Sequence, residues 1–112
     1  MSEVHIVATF HPVVGKVDRM RDILRVQCAT VHEREDYALR FMLTEEISAG
    51  DRPSFCLFET YTSTTTVEQH LQEPHFKAML KTMEDEGLMA SPPAVLKTTT
   101  VAGFDLDREL VL

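Results

Sequence analysis

A chain of 112 residues, 44% of them apolar, has material for one domain with a core, expected over residues 1–112. A domain of that size buries only about two-thirds of its unfolded surface. Its formal charge of −7, broken by no run of Lys and Arg, repels phosphate backbones and anionic bilayers, so neither nucleic acid nor a membrane is expected as a partner. No apolar run approaches the roughly 18 residues of a bilayer span, and MSEVHIVATF lacks a signal-peptide core, which makes the cytoplasm the expected address.

Val4 to Phe10 (VHIVATF) is β-branched and aromatic and ends in the break Pro12 to Gly15, so it reads as a first strand. Alternation puts Val4, Ile6, Ala8 and Phe10 on a face packed under helices. His5, Val7, Thr9 and His11 take the other, more polar face. From Lys16 to about His32, Val17, Met20, Ile23, Leu24, Cys28 and Val31 recur at helical steps. The following run His32 to Asp36 reads as a solvated turn rather than a metal cluster, because charge runs usually face water. Tyr37 to Ile47 alternates with period two, Ser48 to Ser54 supplies turn residues, and Phe55 to Tyr61 completes a hairpin.

Thr65 and Glu68 are spaced for a capping box at the start of a second helical region. Pro74 then opens a further helix carrying Phe76, Met79, Leu80 and Met83, and Gly87 ends it. Leu88 to Pro93 is a stiff connector, Ala94 to Phe104 a last strand, and Asp105 to Leu112 a tail. The order β-α-β-β-α-β predicts an α+β, ferredoxin-like protomer with helices on one face of a four-stranded antiparallel sheet. Cys28 and Cys56 belong to no CxxC pair and read as buried thiols.

The strands are apolar on both faces, as in Phe55 and Leu57 against Cys56 and Phe58. A monomer would leave one of those faces wet, so a homodimer in which two sheets face each other over a cavity is expected.

The stretches VATFHPVVGKVDRMRDIL (Val7 to Leu24), FETY (Phe58 to Tyr61), HLQEPHFKAML (His70 to Leu80) and EGLMASPPAV (Glu86 to Val95), in that order, resemble the antibiotic biosynthesis monooxygenase domain family. These are dimeric α+β barrels that include cofactor-independent quinol and anthrone-type monooxygenases. The resemblance spans nearly the whole chain and implies a ferredoxin-like protomer, a homodimer, and a pocket between sheet and helices. Haem-degrading members carry Asn, Trp and His where this chain aligns Ala8, His70 and Leu80, and the chain has no Trp, which argues against that branch.

Cofactor-free oxygenases of that family use the substrate as electron donor, with O2 as cosubstrate and no metal or flavin. Such chemistry needs a base poised near neutral pH, donors to an oxyanion, and a dry cavity. His70 is the first candidate base, since an unperturbed imidazole titrates near 6.5. A brace for the helix break is its plainer role. His75, in the first turn after Pro74, Tyr61 and Glu59 are supporting candidates. Glu59, set among Phe55, Leu57 and Phe58, needs either a partner such as Arg40 or a histidine to tune. His5, Phe41, Phe58, Phe76 and Met79 are candidate contacts for a small aromatic substrate. His70 and His75 flank a proline at a spacing poor for a shared metal. Besides oxygenation, the same groups would suit a lyase, isomerase or cyclase, and a non-catalytic dimeric binding protein is the remaining reading.

Overall fold

The computed structural model describes residues 2–112. The elements run β1 (Val4–Phe10), α1 (Val17–Arg34), β2 (Ala38–Glu45), β3 (Phe55–Tyr61), α2 (Thr64–Gln72), α3 (Pro74–Asp85) and β4 (Ala94–Thr98). The strands form one antiparallel sheet in the order β2-β3-β1-β4, the ferredoxin-like arrangement expected. Among the described residues no helix is long and apolar enough to cross a membrane.

Strand parity sorts the sheet into two faces. Val4, Ile6, Ala8 and Phe10 of β1 and Phe55, Leu57, Glu59 and Tyr61 of β3 are buried, and the residues between them are not all so. This inner face meets α1 through Met20, Leu24, Gln27 and Val31, and meets α2 and α3 through Val67, His70, Met79 and Met83. Each fully buried Leu or Met in that layer contributes about 1.5–3 kcal/mol.

Several local expectations are corrected. The second helix is capped by Ser63, not Thr65: Ser63 Oγ accepts from the Thr66 backbone N–H at 3.3 Å, and Thr66 Oγ1 accepts from the Ser63 N–H at 3.1 Å. Thr66 thus fills the reciprocal place usually held by Glu or Gln. A register shift between Ala38 and Arg40 expels Leu39 from the inner set, leaving it 53% exposed. The last strand stops at Thr98; beyond it the tail folds on itself through a bridge between Gly103 and Val111. The thiols of Cys28 and Cys56 are half-buried and free.

The connector after α3 is anchored by backbone bonds, Val13 N–H to Leu88 O at 2.8 Å and Ala90 N–H to His11 O at 2.7 Å. It reaches them from a tight helix end. Gly87 adopts φ +63°, its N–H donates to Glu84 O, and the Leu88 N–H donates to Met83 O. That pair of bonds is a Schellman end, and it turns Leu88 into the core. A Cβ on Gly87 would meet nothing within 4 Å, so the cost of Gly87→Ala is conformational alone. The substitution is expected to lower stability by about 1 kcal/mol in urea melts, without changing the fold seen by circular dichroism.

Candidate active site

A cavity of about 210 Å³ lies between the inner sheet face and the helices. Its lining is apolar except for Gln27 from α1, Glu59 from β3, His70 from α2 and Lys97 from β4. Phe41, Phe76 and Met79 line it, where the sequence puts substrate contacts. His5 and Phe58 do not, because their parity turns them to the outer face. There His5 bonds Thr60 Oγ1 at 2.9 Å and Thr100 Oγ1 at 2.7 Å, and both residues line a separate recess under the C-terminal tail. Ala8 faces the inner cavity and Thr9 does not; the polar face of β1 is therefore not the cavity face.

At the polar end of the cavity stands the buried imidazole of His70, 4% exposed. Its ring lies 5.0 Å from Phe76, 5.1 Å from Tyr61 and 6.0 Å from Phe41, centroid to centroid, which restricts its rotamers. Behind it is Glu35, the C-cap of α1 and 1% exposed. Glu35 Oε1 is 2.6 Å from His70 Nδ1, and Glu35 Oε2 is 2.5 Å from His75 Nε2. With the carboxylate ionised, both rings donate to it. In the neutral tautomer that keeps Nδ1–H on Glu35, Nε2 of His70 carries the lone pair.

His70 Nε2 stands 3.9 Å from Glu59 Oε1, too long for a direct hydrogen bond. Tyr61 donates its hydroxyl to Glu59 Oε1 at 2.6 Å. Tyr61 is wholly buried and is not among the cavity-lining residues; it orients Glu59 rather than a ligand. Arg40 is not the partner of Glu59. It belongs to the outer face, over the Phe58 ring and 3.7 Å from Asp105, because its neighbour Phe41 takes the inner position opposite Glu59.

Burial pushes the Glu59 carboxyl up to about 7; the nearby Glu35 charge adds to the rise and the Tyr61 hydroxyl opposes it. The same burial, with the Glu59 charge, raises Tyr61 far above an ordinary phenol, so it serves as a donor. His75 is half-buried behind Glu35 and away from this cavity. Donor atoms of Glu35, Glu73 and His75 lie within 4.8 Å of one another, although both Glu35 oxygens already have histidine partners.

Glu35, Gln27 and Lys97 are the polar residues of the site that the sequence reading passed over; Lys97 is an exposed position of β4, and the other two lie on α1 and its C-cap. Gln27 and Glu35 continue the buried stripe of α1, which steps Met20, Leu24, Gln27, Val31 and on to the C-cap Glu35.

No family model matches the chain, and no curated protein matches it. Solved structures do. A "putative antibiotic biosynthesis monooxygenase" from Caulobacter crescentus is 22% identical with TM-score 0.79, covering 89% of this chain and 91% of that one. A Mycobacterium tuberculosis protein is 24% identical, TM-score 0.75, over 89% and 96%. A protein from Nitrosomonas europaea, again described as a "putative antibiotic biosynthesis monooxygenase", is 18% identical, TM-score 0.77, over 89% and 91%. The chain shares their fold. At these identities the chemistry rests on the site itself.

Glu59 carries a pH signature. Its folded pKa of about 7 exceeds the ordinary 4.5, so between those values the folded state binds more protons than the unfolded one. The resulting stabilisation is whole below 4.5 and is lost as pH rises through about 7. Glu59→Gln is expected to remove about 2 to 3 kcal/mol of the stability loss between about pH 5 and pH 8, read from urea melts across that range. An unchanged slope would show that Glu59 is ionised throughout.

Proposed function

We propose that the protein is a cofactor-independent monooxygenase acting on a compact, electron-rich aromatic substrate of the quinol or anthrone type. One observation carries this reading: an apolar cavity closing on His70 Nε2 and Glu59 Oε1, 3.9 Å apart, with the far nitrogen of His70 held by a buried carboxylate. The volume of about 210 Å³ is below the roughly 300–1,000 Å³ of drug-sized pockets and favours few fused rings.

In this mechanism His70 Nε2 takes a proton from the substrate while Glu35 stabilises the imidazolium through Nδ1–H. Glu59, titrating near neutrality, relays the proton or holds the substrate oxygen. The delocalised anion passes one electron to O2, giving superoxide and a substrate radical. These recombine to a hydroperoxide, and loss of water, with the proton returned from His70, leaves the quinone. For an anthrone the balance is anthrone plus O2 to anthraquinone plus water. The substrate supplies all the electrons, and no metal or flavin enters the scheme. The fold shared with proteins described as monooxygenases supports the class; the acid–base pair supports the chemistry.

A base beside a carboxyl that is partly protonated at neutral pH would equally serve a lyase or isomerase. Oxygen-electrode assays with anthrone and with substituted hydroquinones separate the two. Oxygen uptake matched by quinone formation is expected, with His70→Ala reducing kcat about 100-fold or more. Turnover without oxygen uptake would replace the oxygenase reading with the lyase one.

The working unit in this proposal is a homodimer closed through the outer sheet faces. Register aligns Met42, Phe58, Val7 and Leu96 in an apolar row across all the strands, and Met42 and Leu96 are 55% and 65% exposed. Sedimentation velocity at micromolar concentration should give a dimer, and Phe58→Glu with Leu96→Glu a monomer. A wild-type monomer would remove the assembly from the proposal.

A further inference from the structure

We infer that Glu35, Glu73 and His75 form a site for one divalent first-row metal ion such as Zn2+, on the far side of Glu35 from the cavity. The inference does not depend on the reaction proposed above.

One donor atom from each of the three residues lies within 4.8 Å of the other two. Glu35 is the C-cap of α1, Glu73 is the single residue between α2 and α3, and His75 follows Pro74 in the first turn of α3. The break at Pro74 therefore brings a carboxylate and an imidazole, two residues apart, onto a third group from a distant helix. His70 is not a member. It holds Glu35 Oε1 through Nδ1 from the cavity side, and leaves Oε2 to the cluster.

One imidazole nitrogen and two carboxylates, with no thiolate, suit Zn2+ and its neighbours in the first transition row, whereas Mg2+ and Ca2+ take oxygen ligands. Zn2+ holds nitrogen and oxygen ligands at about 2.0–2.2 Å, which puts them roughly 3.3–3.6 Å from one another in a tetrahedron. Glu35 Oε2 and His75 Nε2, at 2.5 Å, are bridged by a proton, and an ion that displaces this proton parts them by about 1 Å. Glu73 is able to close in. It is half-buried, and as the N-cap of α3 it makes no side-chain cap bond. Two carboxylates this close repel each other, and a divalent ion between them removes that cost.

Two further features point to the same spot. The Tyr37 hydroxyl is buried without a hydrogen-bond partner, and burial, with the charges of Glu35 and Glu73 close by, keeps it protonated. It is a spare donor beside both carboxylates, placed to brace a ligand oxygen or an ion-bound water. His75 also borders a surface recess between α1 and α3, with Asp22 and Thr30 on its wall. An ion can enter there without crossing the cavity.

The test is calorimetric titration of the full chain, stripped with chelator, with Zn2+. One ion per chain is expected, and no uptake of Mg2+. Glu73→Gln should weaken Zn2+ about tenfold or more and His75→Ala about 100-fold, while His32→Ala, at an exposed histidine outside the cluster, should leave the affinity unchanged. A second reading needs no variant, and so stands should His75→Ala misfold: in nitrogen-detected NMR of the wild-type chain, Zn2+ should shift the His75 ring resonances and leave those of His5 and His11 in place. No Zn2+ uptake by the wild-type chain would overturn the inference. Uptake that neither Glu73→Gln nor His75→Ala weakens, or that leaves the His75 ring unshifted, would overturn it equally, since the ion would then be held elsewhere.

Discussion

The arrangement turns on one carboxylate. Glu35 stands at the C-terminal end of α1, where the helix dipole already presents negative charge, and it is nearly sealed from water. An ion there is costly unless donors surround it, and removing one partner of such a group costs more than the contact is worth. His70 and His75 provide those donors, one to each oxygen. The dependence runs both ways. The histidines make Glu35 tolerable in the core, and Glu35 occupies Nδ1 of His70, so that Nε2 is the nitrogen turned toward Glu59.

That geometry requires a broken helix. In one continuous helix, residues five apart project about 140° from each other and could not meet one carboxylate. Pro74 removes the continuity: α2 ends at Gln72, Glu73 takes an extended conformation at φ −63°, ψ 134°, and α3 starts at Pro74. The kink swings His75 back to the side that His70 already faces. Residues whose spacing is poor for a shared metal thus share a carboxylate, and it comes from a distant stretch of chain.

Much of the fold was legible because it follows from local rules. Period-two alternation gave the inner face of β1, the proline and the glycine gave the bounds of α3, and the element order gave the topology. The misreadings came where a polar side chain held an apolar position. Glu35 looked like part of a solvated run because His32, Glu33, Arg34 and Asp36 around it are exposed. Only its phase, four residues beyond Val31, marked it as inward. Gln27 was hidden in the same way between Leu24 and Val31. His5 and Phe58 were assigned to the cavity for their chemistry, whereas parity had already sent them to the other face. Arg40 fell to the same error in its pairing with Glu59.

The two sheet faces explain why so small a protein can hold a site at all. The inner face puts its carbon side chains around Glu59 and His70, and that low-polarity setting lifts the Glu59 carboxyl to about 7. A wetter cavity would return it toward 4.5. The desolvation that tunes the site therefore opposes stability above neutral pH, and the hydrophobic layer under Met20, Leu24 and Met83 must offset it. The outer face carries no such burden: Met42 and Leu96 of its apolar row stand exposed, while Val7 and Phe58 line the recess under the C-terminal tail. Substitutions on the two faces should consequently act on different properties. Those on the inner face would alter the titration of Glu59 and the shape of the cavity, and those at the exposed Met42 and Leu96 would alter the outer surface, away from the residues that line the cavity with Glu59.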